Sequence, residues 1–228
     1  MDTPLPVVVL PGLDGTLALR APFVAQLSRF HRVQVIAYPD DPTLDYRALD
    51  TFVQDRLPFE RFAVLGESFS GPIAMAVARS RAGQCAALIL VSTFARNPWP
   101  AWFTPAAKLL DARLCPEGLL EAVMLGARAT PAAIAALHQV TAALPRRVLQ
   151  SRVQAALTVD ARAVLAASRC RVLCLHGRSD WLIPSRCALE ITRVRPDAAM
   201  VWLDGSHNLL MTHAEDTTWE IRQFLASV

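Results

Sequence analysis

Three residues suited to be a nucleophile, an acid and a base sit at comparable places along the chain. Ser68 lies in FAVLGESFSGPIAMAVA, residues 62–78, where an apolar run stops at Gly66, bends at the serine and resumes as an apolar, helix-like pattern. Strand, Gly-x-Ser-x and helix are the parts of a nucleophile elbow, a sharp turn that lifts a hydroxyl above the edge of a sheet. A serine hydroxyl is a weak nucleophile near neutral pH, so it needs a base within hydrogen-bonding reach and an acid to orient that base. Asp180 follows an apolar run in LHGRSDWLIP, and His207 follows another in LDGSHNLL. Both are loop positions at C-terminal strand ends, where an open α/β sheet gathers its site residues.

Other readings lie close by. Asp204, just ahead of His207, is a second candidate acid, and His176, ahead of Gly177, a second candidate base. Ser68 also reads as an ordinary serine at a helix start, since serine is a favoured cap. His31, His138 and His213 carry no motif, and no His-Glu-x-x-His pattern offers a metal site. An acyl-transfer site also needs donors for an oxyanion. The backbone NH of Phe69, just after the serine, is one. The loop after the first apolar run, LPGLDGT, residues 10–16, is the place for the other, because its glycines let the backbone approach a substrate oxygen closely. Asp14 in the same loop reads as a turn former or cap, or as a direct participant.

The elements that must position these residues are six short apolar runs: VVVL from Val7, VQVIA from Val33, FAVL from Phe62, ALILV from Ala87, VLCL from Val172 and MVWL from Met200. Continuous apolar runs without alternation suit parallel strands covered on both faces. Helix-period segments lie between most of them: APFVAQLSRF, YRALDTFVQDRL, PIAMAVARSR and PSRCALEITRV. This is a βαβ series and hence an open α/β sheet. Successive strand starts are 26, 29, 25, 85 and 28 residues apart. About 28 residues suffice for one unit, so the fourth connection holds roughly 55 extra. The extra residues read as helical: PAAKLL from Pro105, GLLEAV from Gly118, and a helix beginning at Pro131 behind a Thr130 cap. They predict a small helical lid, about residues 95–157, within a single domain spanning residues 1–228.

Composition bounds the function classes. A chain of 228 residues, 53% hydrophobic and 19% charged, can bury one sizeable core. The net charge of +3 is spread as single arginines, with no basic run interleaved with aromatics, which argues against nucleic acid. No segment reaches the roughly 18 apolar residues of a membrane helix, and the N-terminus lacks a leader pattern, so no membrane insertion and a cytoplasmic location are expected. The odd set of Cys85, Cys115, Cys170, Cys174 and Cys187 reads as reduced thiols, with no second close pair to complete a zinc site.

The chain resembles the α/β hydrolases, with GESFSG, the Asp180 loop and the His207 loop in the order Ser, Asp, His found in that superfamily. The resemblance implies a three-layer α/β/α fold whose mostly parallel sheet lacks the superfamily's first antiparallel strands. The pair LPGLDGT and LGESFSG further resembles a branch that includes bacterial esterase-like hydrolases and the hydrolase-like domains of plant lipid acyltransferases. Two departures stand out: Ser70 replaces the second glycine of the elbow, and Pro11 replaces a histidine of the oxyanion loop.

The resemblance implies acyl transfer through Ser68, His207 and Asp180, with Leu13 and Phe69 holding the oxyanion, no cofactor and no metal. A small-molecule ester of an apolar acid is the expected substrate. Trp99, Trp102 and Phe103 are expected either to line its acyl pocket or to seat the lid on the sheet. Transfer to an alcohol, and an inactive ligand-binding protein of the same fold, are the alternatives. Oligomeric state is not legible.

Overall fold

The computed structural model describes residues 4–99 and 115–228. Six parallel strands form one sheet: β1 (Val7–Leu10), β2 (Val33–Val35), β3 (Phe62–Glu67), β4 (Cys85–Val91), β5 (Arg171–Gly177) and β6 (Ala199–Leu203). All six expected runs are strands, and none is antiparallel. Their spatial order is β2-β1-β3-β4-β5-β6. The chain first steps from β1 to β2 and then crosses back to β3, so the direction of winding reverses between β1 and β3. A crevice opens at the carboxyl ends of the strands at such a reversal.

Side chains of successive strand residues point to opposite faces, and the core divides accordingly. Val8, Val64, Leu88 and Val172 pack on one face beneath α2 (Tyr46–Gln54), α3 (Gly71–Ser80), α7 (Arg162–Ala166) and α8 (Ser185–Val194). Val7, Val9, Ala63, Leu65 and Ile89 pack on the other, beneath α1 (Ala21–Leu27) and α10 (Ala214–Leu225). The result is three layers, α/β/α. Both faces of the central strands are covered, which is why their sequences are uninterrupted apolar runs.

Ahead of α7, the long fourth connection contains three further described α-helices, α4 (Glu117–Met124), α5 (Pro131–Ala143) and α6 (Arg146–Thr158). Thr130 caps α5 as expected, its hydroxyl accepting from Ala133 N at 3.2 Å, with Pro131 in the first turn. The PAAKLL stretch from Pro105 lies outside the described residues. A short helix α9 (Leu209–Thr212) follows β6. Among the described residues no helix is long and apolar enough to cross a membrane.

At the end of β3 the chain turns through a single 3₁₀ turn, residues 68–70, directly into α3. A Cβ on Gly66 would stand 2.6 Å from the Ser70 carbonyl oxygen and 2.7 Å from the Ala74 Cβ, so only glycine lets helix and strand meet this closely. Gly66→Ala is expected to cost about 1–3 kcal/mol of stability, the usual effect of overpacking. Urea denaturation measures it, and an unchanged midpoint would show that α3 does not press on β3.

Candidate active site

Ser68, Asp180 and His207 all sit at the carboxyl edge of the sheet, just after β3, β5 and β6. Ser68 is held with a positive φ of 50°. A non-glycine residue in this conformation costs of order 1–3 kcal/mol and persists only where the surroundings enforce it. Thr93, just after β4, enforces it from one side by donating its hydroxyl to the Ser68 carbonyl. The serine hydroxyl lies 2.9 Å from His207 Nε2. The other ring nitrogen, Nδ1, lies 2.9 Å from Asp180 Oδ2. Ser68, His207 and Asp180 are 8%, 2% and 6% exposed, so both bonds are shielded from bulk water.

The Asp180 and His207 loops are each braced. Asp180 Oδ1 accepts from the backbone NH groups of Leu182 at 3.0 Å and Ile183 at 2.8 Å, which leaves Oδ2 for the histidine. His176 donates from Nε2 to the Ile183 carbonyl at 2.9 Å, and Trp99 donates from its indole to the Leu182 carbonyl at 3.0 Å. On the other side, the Asn208 NH donates to the Met124 carbonyl at the end of α4 at 2.8 Å. Burial disfavours the imidazolium of His207, but the Asp180 carboxylate outweighs it and holds the ring above its ordinary value of 6.5.

The turn that carries Leu13 is closed by the Gly15 NH donating to the Gly12 carbonyl at 3.0 Å. Because a trans peptide points its NH opposite to its C=O, this bond aims the Leu13 NH away from the turn. Ser70, the departure from the elbow pattern, is put to use: its hydroxyl donates to the Pro11 carbonyl and accepts from the Tyr38 hydroxyl at 2.6 Å. The hydroxymethyl group thus bolts the elbow to the loop after β1. Tyr46 stacks on Phe69 at 4.7 Å between ring centroids and donates to its carbonyl at 2.8 Å, which fixes the neighbouring turn.

The competing residues are elsewhere. Asp204 is exposed and pairs with Arg178 at 3.1 Å. His176 is wholly buried in β5 and bonded to Ile183. His31 contacts the Leu5 carbonyl, His138 pairs with Glu121, and His213 contacts Thr212 and the Asp204 carbonyl. Asp14 bonds neither Ser68 nor His207 but belongs to a charged cluster that sequence reasoning missed. Arg20, 2% exposed, donates from Nε to Glu67, from Nη2 to Asp14 Oδ1 at 2.7 Å, and from Nη1 to Asp14 Oδ2 at 2.9 Å and the Thr16 carbonyl at 2.7 Å. Burial raises the Glu67 pKa, only partly offset by Arg20. For Asp14 burial also raises it, but Arg20 and Thr16 bring the net shift below the ordinary range. One cation between two carboxylates leaves a residual negative charge, and the part on Glu67 further favours the charged form of His207.

A cavity of about 610 Å³ opens over Ser68. Its floor includes Leu13, Phe69 and His207, and its walls are apolar: Trp99, Leu120, Val123 and Met124 from α4, Leu137 and Val140 from α5, and Leu149, Val153 and Ala156 from α6. Trp99 therefore both lines the cavity and anchors the Asp180 loop. Trp102 and Phe103 lie outside the described residues. Among the described residues no group of three or more His, Cys, Asp and Glu side chains is placed to hold a metal ion.

No protein-family profile matches the chain. Among curated proteins, it is 30% identical to a segment of the polyketide synthase ThaQ of Burkholderia thailandensis; the match covers 92% of this chain, which spans only 11% of that protein. Among solved structures, it superposes on the enol-lactonase of Burkholderia xenovorans LB400 with a TM-score of 0.84 at 22% identity, covering 99% of this chain and 92% of that one. The esterase EaEST of Exiguobacterium antarcticum gives a TM-score of 0.84 at 15% identity, with coverage of 99% and 93%. The fold is thus that of the α/β hydrolases, and a fold hosts many reactions.

Replacing Arg20 by methionine leaves two buried carboxylates without their cation, which is expected to cost about 3–5 kcal/mol. Both carboxylates would then titrate higher in the folded state than in the unfolded chain, so protonation favours the folded variant. The loss should be largest near neutral pH and shrink toward pH 4. Chemical denaturation across that range checks it, and a pH-independent loss would show that no charge is left uncompensated.

Proposed function

We propose that this α/β hydrolase-fold chain is a serine hydrolase that cleaves carboxylic esters of apolar acids. The observation that carries the reading is the pair of 2.9 Å bonds joining Ser68 to His207 and His207 to Asp180. Asp180 accepts a hydrogen bond from Nδ1–H, which fixes the tautomer that leaves a lone pair on Nε2 facing the serine. As Ser68 Oγ attacks the ester carbonyl, Nε2 takes its proton, and the Leu13 and Phe69 NH groups receive the negative charge that develops on the carbonyl oxygen. The alcohol leaves with the proton from Nε2. Water then gives a proton to Nε2 and attacks the acyl-serine, and collapse releases the acid and restores the serine hydroxyl. The apolar walls of the cavity suit a hydrocarbon acyl chain, and each buried methylene contributes about 0.8 kcal/mol.

A second reading, resting on the resemblance of LPGLDGT and LGESFSG to lipid acyltransferase domains, has an alcohol replace water as the acceptor of the acyl group. Product analysis with added long-chain alcohol separates the two: ester formation supports transfer, and acid alone at every alcohol concentration supports hydrolysis.

A fluorophosphonate should label the wild-type protein at Ser68 and leave Ser68→Ala unlabelled, with turnover of 4-nitrophenyl esters falling by about 10⁴-fold or more in the variant. No labelling and no acid release at any acyl length would sink the reading in favour of a ligand-binding protein. The base must be neutral to act, and its pKa is raised, so the acid limb of kcat/KM should fall above pH 6.5. Asp180→Asn removes the charge that sustains the imidazolium, and should move that limb to lower pH while cutting the rate by about 10⁴-fold. A limb that stays in place would assign the titration to another group.

A further inference from the structure

The inserted helix α6 has two jobs on one face. Leu149, Val153 and Ala156 line the cavity, and at helical spacing Arg152 falls on the same side of the helix. Arg152 is 2% exposed, yet among the described residues its guanidinium bonds only carbonyls: Nη1 donates to Leu13 O at 2.8 Å and Nη2 to Pro39 O at 2.9 Å. A buried cation without a hydrogen-bonded carboxylate is expensive, and burial lowers its pKa, with the nearby Asp40 and Asp14 only partly offsetting it. Packing alone would be better served by an apolar residue at this position. The turn it grips is shaped to receive it. Gly15 has a φ of +76°, and a Cβ there would stand 2.6 Å from Nη1. The Leu13 side chain is held by the same helix, packing against the cluster of Leu149, Val153 and Leu157. Helix α6 therefore grips the Leu13 residue twice, by its side chain and by its carbonyl.

We infer that Arg152 is a positioning residue that couples occupancy of the acyl cavity to the alignment of the Leu13 NH, so that acyl-chain length is read in kcat and not only in KM. The inference rests on the ester-hydrolase reading. A chain filling the cavity presses on Leu149 and Val153, the helix seats, and Arg152 holds the Leu13 carbonyl, one Cα away from the peptide that carries the Leu13 NH. Binding energy from a remote part of the substrate is thereby realised at the reacting carbon, which raises kcat. A short chain leaves the helix and the donor less firmly placed.

The test compares butanoyl, octanoyl and dodecanoyl 4-nitrophenyl esters with wild type, Arg152→Met and Arg152→Lys. Lysine keeps the charge but cannot span both carbonyls, so it carries the test if the methionine variant fails to fold by thermal melting. In the wild type kcat should rise about tenfold from the shortest chain to the longest, a modest part of what one oxyanion donor is worth. In a folded variant kcat should become flat across the series, within about twofold, while KM still falls with chain length. A uniform drop in kcat with the slope kept would mean a purely structural role and would overturn the inference, as would a wild-type kcat that ignores chain length. Either result with fluorophosphonate labelling of Ser68 intact leaves the hydrolase reading standing. No turnover and no labelling in the wild type would overturn both.

Discussion

The hydrogen bonds at the two ring nitrogens of His207 impose the strictest geometric demand in this molecule. Each has a directional optimum, and the two are fixed relative to one another by a rigid ring, so the serine, the imidazole and the carboxylate must be placed together. They come from the ends of β3, β6 and β5, separated by up to 139 residues of chain. A parallel sheet solves this by bringing every strand's carboxyl end to one edge. The remaining adjustments are local: a left-handed serine at the elbow, two backbone NH groups on one oxygen of Asp180, and the end of α4 holding the residue after His207.

Charge is distributed around that edge in a way that favours the protonated histidine. Asp180 supplies the largest opposing effect to burial, and Glu67 adds to it from the residue before Ser68. Arg20 keeps the Glu67 and Asp14 carboxylates tolerable in the interior without cancelling both. The same guanidinium joins the elbow to the loop after β1, so the charge cluster also ties together the two segments that carry the proposed oxyanion donors.

Much of this was legible in the sequence because burial on both sheet faces writes itself as unbroken apolar runs, as in VVVL and FAVL. The long gap between β4 and β5 revealed the inserted helices, and loop placement singled out Ser68, Asp180 and His207. The arginines were not legible. Arg20 stands alone among apolar neighbours in LALRAPF and Arg152 lies in a helix with Arg146, Arg147 and two glutamines, so both look like scattered surface charge. The sequence does not tell that one of the two carboxylates for Arg20 lies 47 residues away, or that the partners of Arg152 are backbone carbonyls. Ser70 looked like an imperfection because a glycine was expected for close packing. The close approach is instead made by Gly66, which frees Ser70 to bond Pro11 and Tyr38. An arginine breaking an apolar helix face was the one signal that could have pointed to Arg152.

The fastening of the inserted helices bears on how such a chain can diversify. Loops over a sheet edge are commonly regarded as exchangeable, with new specificities arising by swapping one insertion for another. Here α4 holds the His207 loop and α6 holds the turn after β1, so a transplanted insertion would arrive without the contacts that keep those loops in place. Recombination at the β4 and β5 boundaries would have to carry the Leu13–Gly15 turn along with it. Gradual substitution of the cavity-facing side chains on α4, α5 and α6 is the easier route, because it alters the walls and spares the anchors.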